Sequence, residues 1–217
     1  MALKGFIFDL DGVIVDTAKF HFLAWQRLAK SLGIDFSHEE NEQLKGVSRV
    51  DSLHKILNWG GISLSKADFE ASLIQKNEWY LEYVDAMKPD EILPGVREFL
   101  QASSDAGLKI ALGSASKNAE KILVKTHLIS FFDALIDGNQ VTLSKPNPEV
   151  FLKGAAEIGL EPNECVVFED AQAGVEAALA GGMKVIGIGE PKNLVGASQW
   201  VSGLDKLNVD NVLKDLN

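Results

Sequence analysis

Short apolar runs recur along the chain, each followed by a turn or an acidic residue. Residues 5–10 (GFIFDL), 109–112 (KIAL), 134–136 (ALI), 165–168 (CVVF) and 184–188 (KVIGI) have the length and side chains of buried strands. Between them, residues 96–105, 117–126, 148–158 and 171–180 repeat apolar side chains at helical spacing. Strands and helices alternating in this way predict right-handed crossovers and a parallel sheet covered on both faces, a Rossmann-like α/β core. Ligands of such sheets gather beyond the carboxyl ends of the strands. The reactive residues are therefore expected just after the apolar runs.

The alternation fails between residues 17 and 88. That segment shows no strand pattern but helical stretches at 18–31, 50–58 and 66–84, with Phe20, Phe22, Trp25, Trp79 and Tyr80 spread along them. It closes at Pro89 and Pro94-Gly95, where the α/β pattern begins again. Because a strand precedes it, the segment reads as an insertion rather than a separate N-terminal domain. The expected organisation is a core of residues 1–16 and 89–217 with an inserted α-helical cap, residues 17–88, over the sheet's carboxyl end. The aromatic residues of the cap are expected to pack its interior rather than stack on a ligand.

Composition narrows this picture. A chain of 217 residues with 46% apolar side chains can bury a substantial core. Its single cysteine, Cys165, cannot close an internal disulfide, which favours a reducing compartment; the residue opens an apolar run and reads as core. The formal charge of -10 and the absence of a Lys/Arg run argue against a nucleic-acid partner. The first carboxylate, Asp9, arrives before a signal-peptide apolar region could form, and no stretch approaches the roughly 20 apolar residues of a membrane span. A cytoplasmic monomer with no membrane partner is expected. The acidic excess leaves two readings open, a solvated surface or, in part, a cation site.

Candidate chemistry begins at Asp9-Leu10-Asp11-Gly12-Val13. Two carboxylates at i and i+2 after a strand can face one cavity, and Gly12 allows a sharp turn. Such a pair supports attack by one carboxylate and proton exchange by the other. A hairpin is disfavoured because no strand pattern follows, and an EF-hand because Gly and Glu are missing at its sixth and twelfth positions. A plain turn remains open. The other strand ends add Ser114 after KIAL, Lys145 in the loop beyond ALID, and Glu169-Asp170 after CVVF. Each has a plainer reading: a helix N-cap for Ser114, a surface cation for Lys145, an acidic helix cap for Glu169-Asp170. Their coincidence at strand ends favours a site. Several carboxylates gathered there would repel one another without a hard, oxygen-preferring cation, and Mg²⁺ fits best.

As a set, Asp9-x-Asp11-Gly12-Val13-x-x-Asp16-Thr17, Ser114, Lys145 and Glu169-Asp170 resemble the haloacid dehalogenase superfamily of phosphotransferases. The resemblance implies Asp9 as the nucleophile that becomes a phosphoaspartate and Asp11 as general acid/base. It places Ser114 and Lys145 on the transferring phosphoryl group, and Asp9, Asp11, Glu169 and Asp170 around Mg²⁺. Within the superfamily, His21-Phe22-x-Ala24-Trp25, the stretch from Asn41 to Arg49, Lys76-Asn77 and Ser114-Ala115-Ser116-Lys117-Asn118 resemble the β-phosphoglucomutase family. That likeness implies interconversion of β-D-glucose 1-phosphate and glucose 6-phosphate through β-glucose 1,6-bisphosphate, with those sugar phosphates as the only partners. The same core also suits a Mg²⁺-dependent sugar-phosphate phosphatase. By resemblance, Arg49, Ser116, Lys117 and Asn118 hold the second phosphate, and Thr17, His21, Gly46, Val47, Ser48 and Lys76 complete the substrate site. Arg49 offers a planar fork suited to phosphate. Ala171, where such enzymes often carry Ser, and Phe20, where Tyr is frequent, are small departures.

Overall fold

The computed structural model describes residues 2–89 and 91–216. The chain divides into two compact units, Met1–Asp16 with Lys88–Asn217, and Thr17–Met87. The strands are β1 (Gly5–Phe8), β2 (Lys109–Gly113), β3 (Ala134–Ile136), β4 (Cys165–Glu169), β5 (Lys184–Ile188) and β6 (Gln199–Val201). The helices are α1 (Ala18–Ser31), α2 (His38–Glu42), α3 (Arg49–Trp59), α4 (Lys66–Ala86), α5 (Val96–Asp105), α6 (Ala119–Lys125), α7 (Glu149–Glu157), α8 (Gln172–Ala180) and α9 (Val209–Leu216). Among the described residues, no helix is long and apolar enough to cross a membrane.

All strands of the first unit run parallel in the order β3-β2-β1-β4-β5-β6. Side chains alternate across the sheet. Ile7, Ala111, Val167 and Val185 share a core with Val150, Phe151 and Ala155 of α7 and with Val175, Ala177 and Ala178 of α8. Phe6, Phe8 and Phe168 belong to a second cluster with Phe99 of α5, in which the Phe8 and Phe168 rings stack at 4.5 Å. Burial on both faces explains why GFIF and CVVF carry no polar alternation.

The strand order decides where chemistry can occur. β1 leads outward through β2 to β3, and the chain then returns to lay β4 on the other side of β1. The crevice beyond β1 and β4 is thus the topological switch point of the sheet. Phe8 pairs with Phe168 and also with Leu112. Asp9 therefore emerges beside Glu169, and its N–H donates to the Phe168 carbonyl at 2.9 Å.

In the second unit, three helices start at a serine followed three residues later by an acid. Ser37 and Glu40 form a reciprocal capping box for α2. The hydroxyls of Ser48 and Ser65 accept from the N–H groups of Asp51 and Asp68, opening α3 and α4. Phe22, Trp25 and Leu28 of α1 pack with Phe36, Leu44 and Leu53, Ile56 and Leu57 of α3. Trp25 is one of the buried members of this core, as expected of a packing residue.

Four short elements differ from the sequence reading, among them α9, which it left unassigned although Val209, Val212 and Leu216 are buried. α2 is five polar and charged residues held by its capping box and has no apolar periodicity to announce it. β6 is a three-residue edge strand with an exposed Trp200. α6 begins at Ala119 rather than residue 117, so residues 114–118 form a loop.

A carboxylate and lysine site at the switch point

The loop leaving β1 is tight. Ile14 and Val15 both donate their N–H groups to the Leu10 carbonyl, and Gly12 donates to the Val15 carbonyl at 2.8 Å. Gly12 has φ +79°, and a Cβ there would lie 2.2 Å from Asp170 Oδ2. Only glycine meets both conditions, the left-handed backbone and the close approach of a carboxylate. Asp9 is buried and Asp11 half-buried on this turn.

Lys145 organises the centre. It is 4% exposed, and its ammonium donates to Asp9 Oδ1 at 2.6 Å and to Glu169 Oε2 at 2.7 Å. The other Glu169 oxygen accepts from the Ala171 N–H at 3.0 Å. The peptide between Lys145 and Pro146 is cis. The Phe151 ring lies 4.6 Å from the ammonium, so the cation sits against an apolar wall. Burial favours the neutral amine, but the carboxylates of Asp9 and Glu169 outweigh it and hold the Lys145 ammonium above its usual range. Glu169 shows the opposite balance. Burial pushes its carboxyl up to about 8, the pull of Lys145 notwithstanding, and repulsion from Asp9 and Asp170 adds to the rise.

This balance bears directly on metal binding. Asp9, Glu169 and Asp170 each place a carboxylate oxygen within 4.8 Å of the others. When all are ionised, Lys145 offsets one of three negative charges, leaving an excess of two. An all-oxygen donor set with that excess fits a hard divalent cation, and Mg²⁺ is the natural choice. Soft metals that prefer sulfur or imidazole find no such ligand in this cluster.

Ser114 is buried at the end of β2, its hydroxyl accepting from the Ser116 N–H at 3.1 Å. The Ser116 hydroxyl in turn accepts from the Asn118 N–H at 3.2 Å. Ser116 and Asn118 are half-buried and Lys117 is exposed. The loop after β3 braces this segment: Gly138 donates to the Ser116 carbonyl and Asn139 Nδ2 to the Lys117 carbonyl.

The helical unit holds its own cluster. Lys76 is almost wholly buried, with its ammonium 4.6 Å from the Trp25 ring and 4.9 Å from the Tyr80 ring. Those two π-faces offset part of the cost of burying a cation. Its Nζ also meets His21 Nδ1 at 2.8 Å, and the His21 ring stacks on Tyr80. An ammonium has donors only, so Nδ1 accepts and the ring proton resides on Nε2. Burial first, then the charges of Lys76 and Arg49, depress the His21 pKa well below its usual value. Thr17 is buried at the start of α1, its carbonyl accepting from the Phe20 and His21 N–H groups. Gly46 takes a positive φ of 71°, followed by half-buried Val47, Ser48 and Arg49 at the entrance to α3.

Two contributors escaped the sequence reading. Gly174 lies inside α8, and a Cβ there would fall 2.0 Å from Glu169 Cδ. A glycine inside a helix opposes helix propensity, and that mismatch was its only signal. Glu149, whose carboxylate accepts from the Thr142 and Leu143 N–H groups in the loop that carries Lys145, reads locally as an ordinary acid at the start of α7.

Comparison with known proteins agrees with this geometry. Residues 3–182 match the haloacid dehalogenase-like hydrolase family. The chain is 38% identical over 210 residues to the β-phosphoglucomutase of Bacillus subtilis, covering 96% of this chain and 93% of that protein. A solved structure of β-phosphoglucomutase from Clostridium difficile superposes with a TM-score of 0.96 at 37% identity, covering 99% of this chain and 97% of that one. The fructose-1-phosphate phosphatase YqaB of Escherichia coli is 32% identical over 186 residues, 85% of this chain and 95% of the phosphatase.

Two outcomes follow from the packing around these clusters. Gly174→Ala forces a methyl group into the buried Glu169 carboxylate and should cost about 1–3 kcal/mol of stability. It should also weaken Mg²⁺ binding measured by calorimetry; unchanged affinity and melting temperature would show that Glu169 can move aside. His21, its pKa depressed, should stay neutral from pH 8 down through its ordinary range near 6.5. Long-range ¹⁵N–¹H NMR should report the Nε2–H form throughout, and a titration midpoint near 6.5 would contradict the Lys76 contact.

Proposed function

Because the chain belongs to the haloacid dehalogenase-like hydrolase family, we propose that it is a Mg²⁺-dependent phosphotransferase in which Asp9 carries the phosphoryl group. More narrowly, the reading is a β-phosphoglucomutase interconverting β-D-glucose 1-phosphate and glucose 6-phosphate. The observation that carries the first step is the buried Lys145 ammonium shared by Asp9 and Glu169 at the switch point. The narrower step is supported by 38% identity to a β-phosphoglucomutase across nearly the whole chain.

In this reading Lys145 holds one Asp9 oxygen and leaves the carboxylate oriented for in-line attack on phosphorus. The new bond joins an Asp9 oxygen to phosphorus, and the bond from phosphorus to the sugar oxygen breaks. Asp11 gives that leaving oxygen its proton. In the reverse half, Asp11 takes the proton from a sugar hydroxyl, whose oxygen attacks phosphorus and releases the Asp9 carboxylate. Asp9, Asp11 and Asp170, with Glu169 in support, would hold Mg²⁺, which would supply charge stabilisation to the transferring oxygens. Ser114 donates to the same group. Arg49, Ser116, Lys117 and Asn118 bind the phosphate that is not transferred. Thr17, His21, Gly46, Val47, Ser48 and Lys76 place the sugar, with His21 presenting Nε2–H as a donor.

A second reading, a sugar-phosphate phosphatase, draws on the 32% identity to a fructose-1-phosphate phosphatase. It differs in one step, since water rather than a sugar hydroxyl discharges the phosphoaspartate.

Supplying β-glucose 1-phosphate, Mg²⁺ and a trace of β-glucose 1,6-bisphosphate distinguishes the two. Glucose 6-phosphate should accumulate with little free phosphate; stoichiometric phosphate release instead would replace the mutase with the phosphatase. Asp9→Asn should lose about a thousandfold or more of turnover in the same assay while keeping its circular dichroism spectrum. Retained turnover would mean that another residue is the nucleophile.

A further inference from the structure

The Lys145 side chain enters the site from a loop, residues 141–148, that has no sheet partners to hold it. Val141 at its start packs against the sheet core, and the carboxylate of Glu149 gathers the backbone donors that follow. Glu149 Oε2 accepts from the Thr142 N–H at 3.0 Å, from the Thr142 hydroxyl at 3.0 Å and from the Leu143 N–H at 2.8 Å. Glu149 Oε1 accepts from Lys153 at 2.7 Å, one helical turn along α7. Lys153 also donates to the Gln140 carbonyl at 2.6 Å, fixing the loop at its upstream end. Downstream, Asn147 Oδ1 accepts from the Glu149 N–H, and the Asn147 N–H donates to the Ser144 carbonyl. The loop is thus tied to the first turn of α7 on both sides of Lys145. That helix is itself rigid, because Phe151, two residues on, is wholly buried in the sheet core.

We infer that Glu149 is a positioning residue for Lys145: with Lys153 as its partner, it sets the loop conformation that delivers the ammonium between Asp9 and Glu169. The inference rests on the proposal that Lys145 serves phosphoryl transfer at Asp9. The arrangement is not a generic helix-start acid. A capping carboxylate satisfies N–H groups of its own helix, whereas Glu149 takes two backbone donors and a hydroxyl from residues six and seven positions before it. Thr142 and Leu143 are exposed, in contrast to Val141 before them, which packs against the core, and the Glu149 carboxylate is what accepts their backbone N–H groups. Lys153 first, and then the Leu143 N–H, hold the Glu149 carboxyl down at about 2, so the brace stays ionised through neutral and mildly acidic conditions. Ion-pair geometry at the site is short on both arms of Lys145, and a displacement of about 1 Å in such a group can cost on the order of a hundredfold in rate.

The test compares the full-length protein with Glu149→Ala, Glu149→Gln and Lys153→Met. Amide hydrogen exchange at Thr142 and Leu143 reads the brace, and the ¹⁵N-detected Lys145 ammonium resonance reads its consequence, neither depending on activity. Mg²⁺-dependent hydrolysis of p-nitrophenyl phosphate gives kcat and KM separately. In Glu149→Ala both amides should exchange at least tenfold faster and the Lys145 signal should broaden or vanish. Its kcat should fall about tenfold to a hundredfold with KM changed less than threefold. Glu149→Gln, which keeps an acceptor, and Lys153→Met should lie between Glu149→Ala and the parent. Unchanged amide protection, or a sharp Lys145 signal with unchanged kcat, overturns the inference. A Glu149→Ala chain that fails to fold leaves the decision to the two milder variants read in the same way. If the parent shows no phosphoryl transfer at all, the proposed function fails, and exchange and ammonium signal still decide whether Glu149 places Lys145.

Discussion

Three carboxylates gather beyond β1 and β4 around a single buried ammonium, and their mutual repulsion constrains much of what surrounds them. Burial raises the cost of every uncompensated charge, so the site demands a cation fixed from within. Lys145 meets part of that demand, yet burial first, and then repulsion from Asp9 and Asp170, push Glu169 towards its neutral form. The residual negative charge is the electrostatic basis for expecting a divalent ion. A carboxylate meant to attack phosphorus needs the same environment, since an unscreened cluster would repel the phosphoryl oxygens.

The surrounding fold gives that cluster its precision. Parallel pairing of β1 with both β2 and β4 sets Asp9 level with Glu169 without any flexible element between them. The stacked rings of Phe8 and Phe168 lie directly behind these two carboxylates and keep both strand ends in register. Glycines at positions 12 and 174 leave the space that the acidic side chains occupy. The one member not delivered by a strand is Lys145, and it is the one for which the chain supplies a separate brace.

The helical unit handles buried charge by different means. Lys76 lies against two aromatic faces and His21, so π-faces and an imidazole stabilise part of its buried charge. The consequence is a neutral histidine with a defined tautomer in a strongly basic neighbourhood. Such a donor suits a sugar hydroxyl or phosphate oxygen, consistent with the proposed assignment of this unit to substrate placement.

Much of this was legible in the amino-acid sequence, for local reasons. Apolar runs with an acid or serine at their ends placed Asp9, Ser114 and Glu169 correctly at strand termini, because a buried strand stops where side chains turn polar. The helices of the second unit were legible from apolar spacing, whereas α2 and β6 were not, being too short or too exposed to impose a period. By itself, then, the sequence determined the kinds of chemical group available and their order along the sheet. Only the tertiary structure decided which charges share a space. Lys145 and Asp9 are separated by 136 positions, and their 2.6 Å contact depends on a loop whose shape is held by Glu149. The physical reason is that strand and helix patterns follow from neighbours along the chain, while the strength of a buried ion pair follows from a distance that no neighbour encodes.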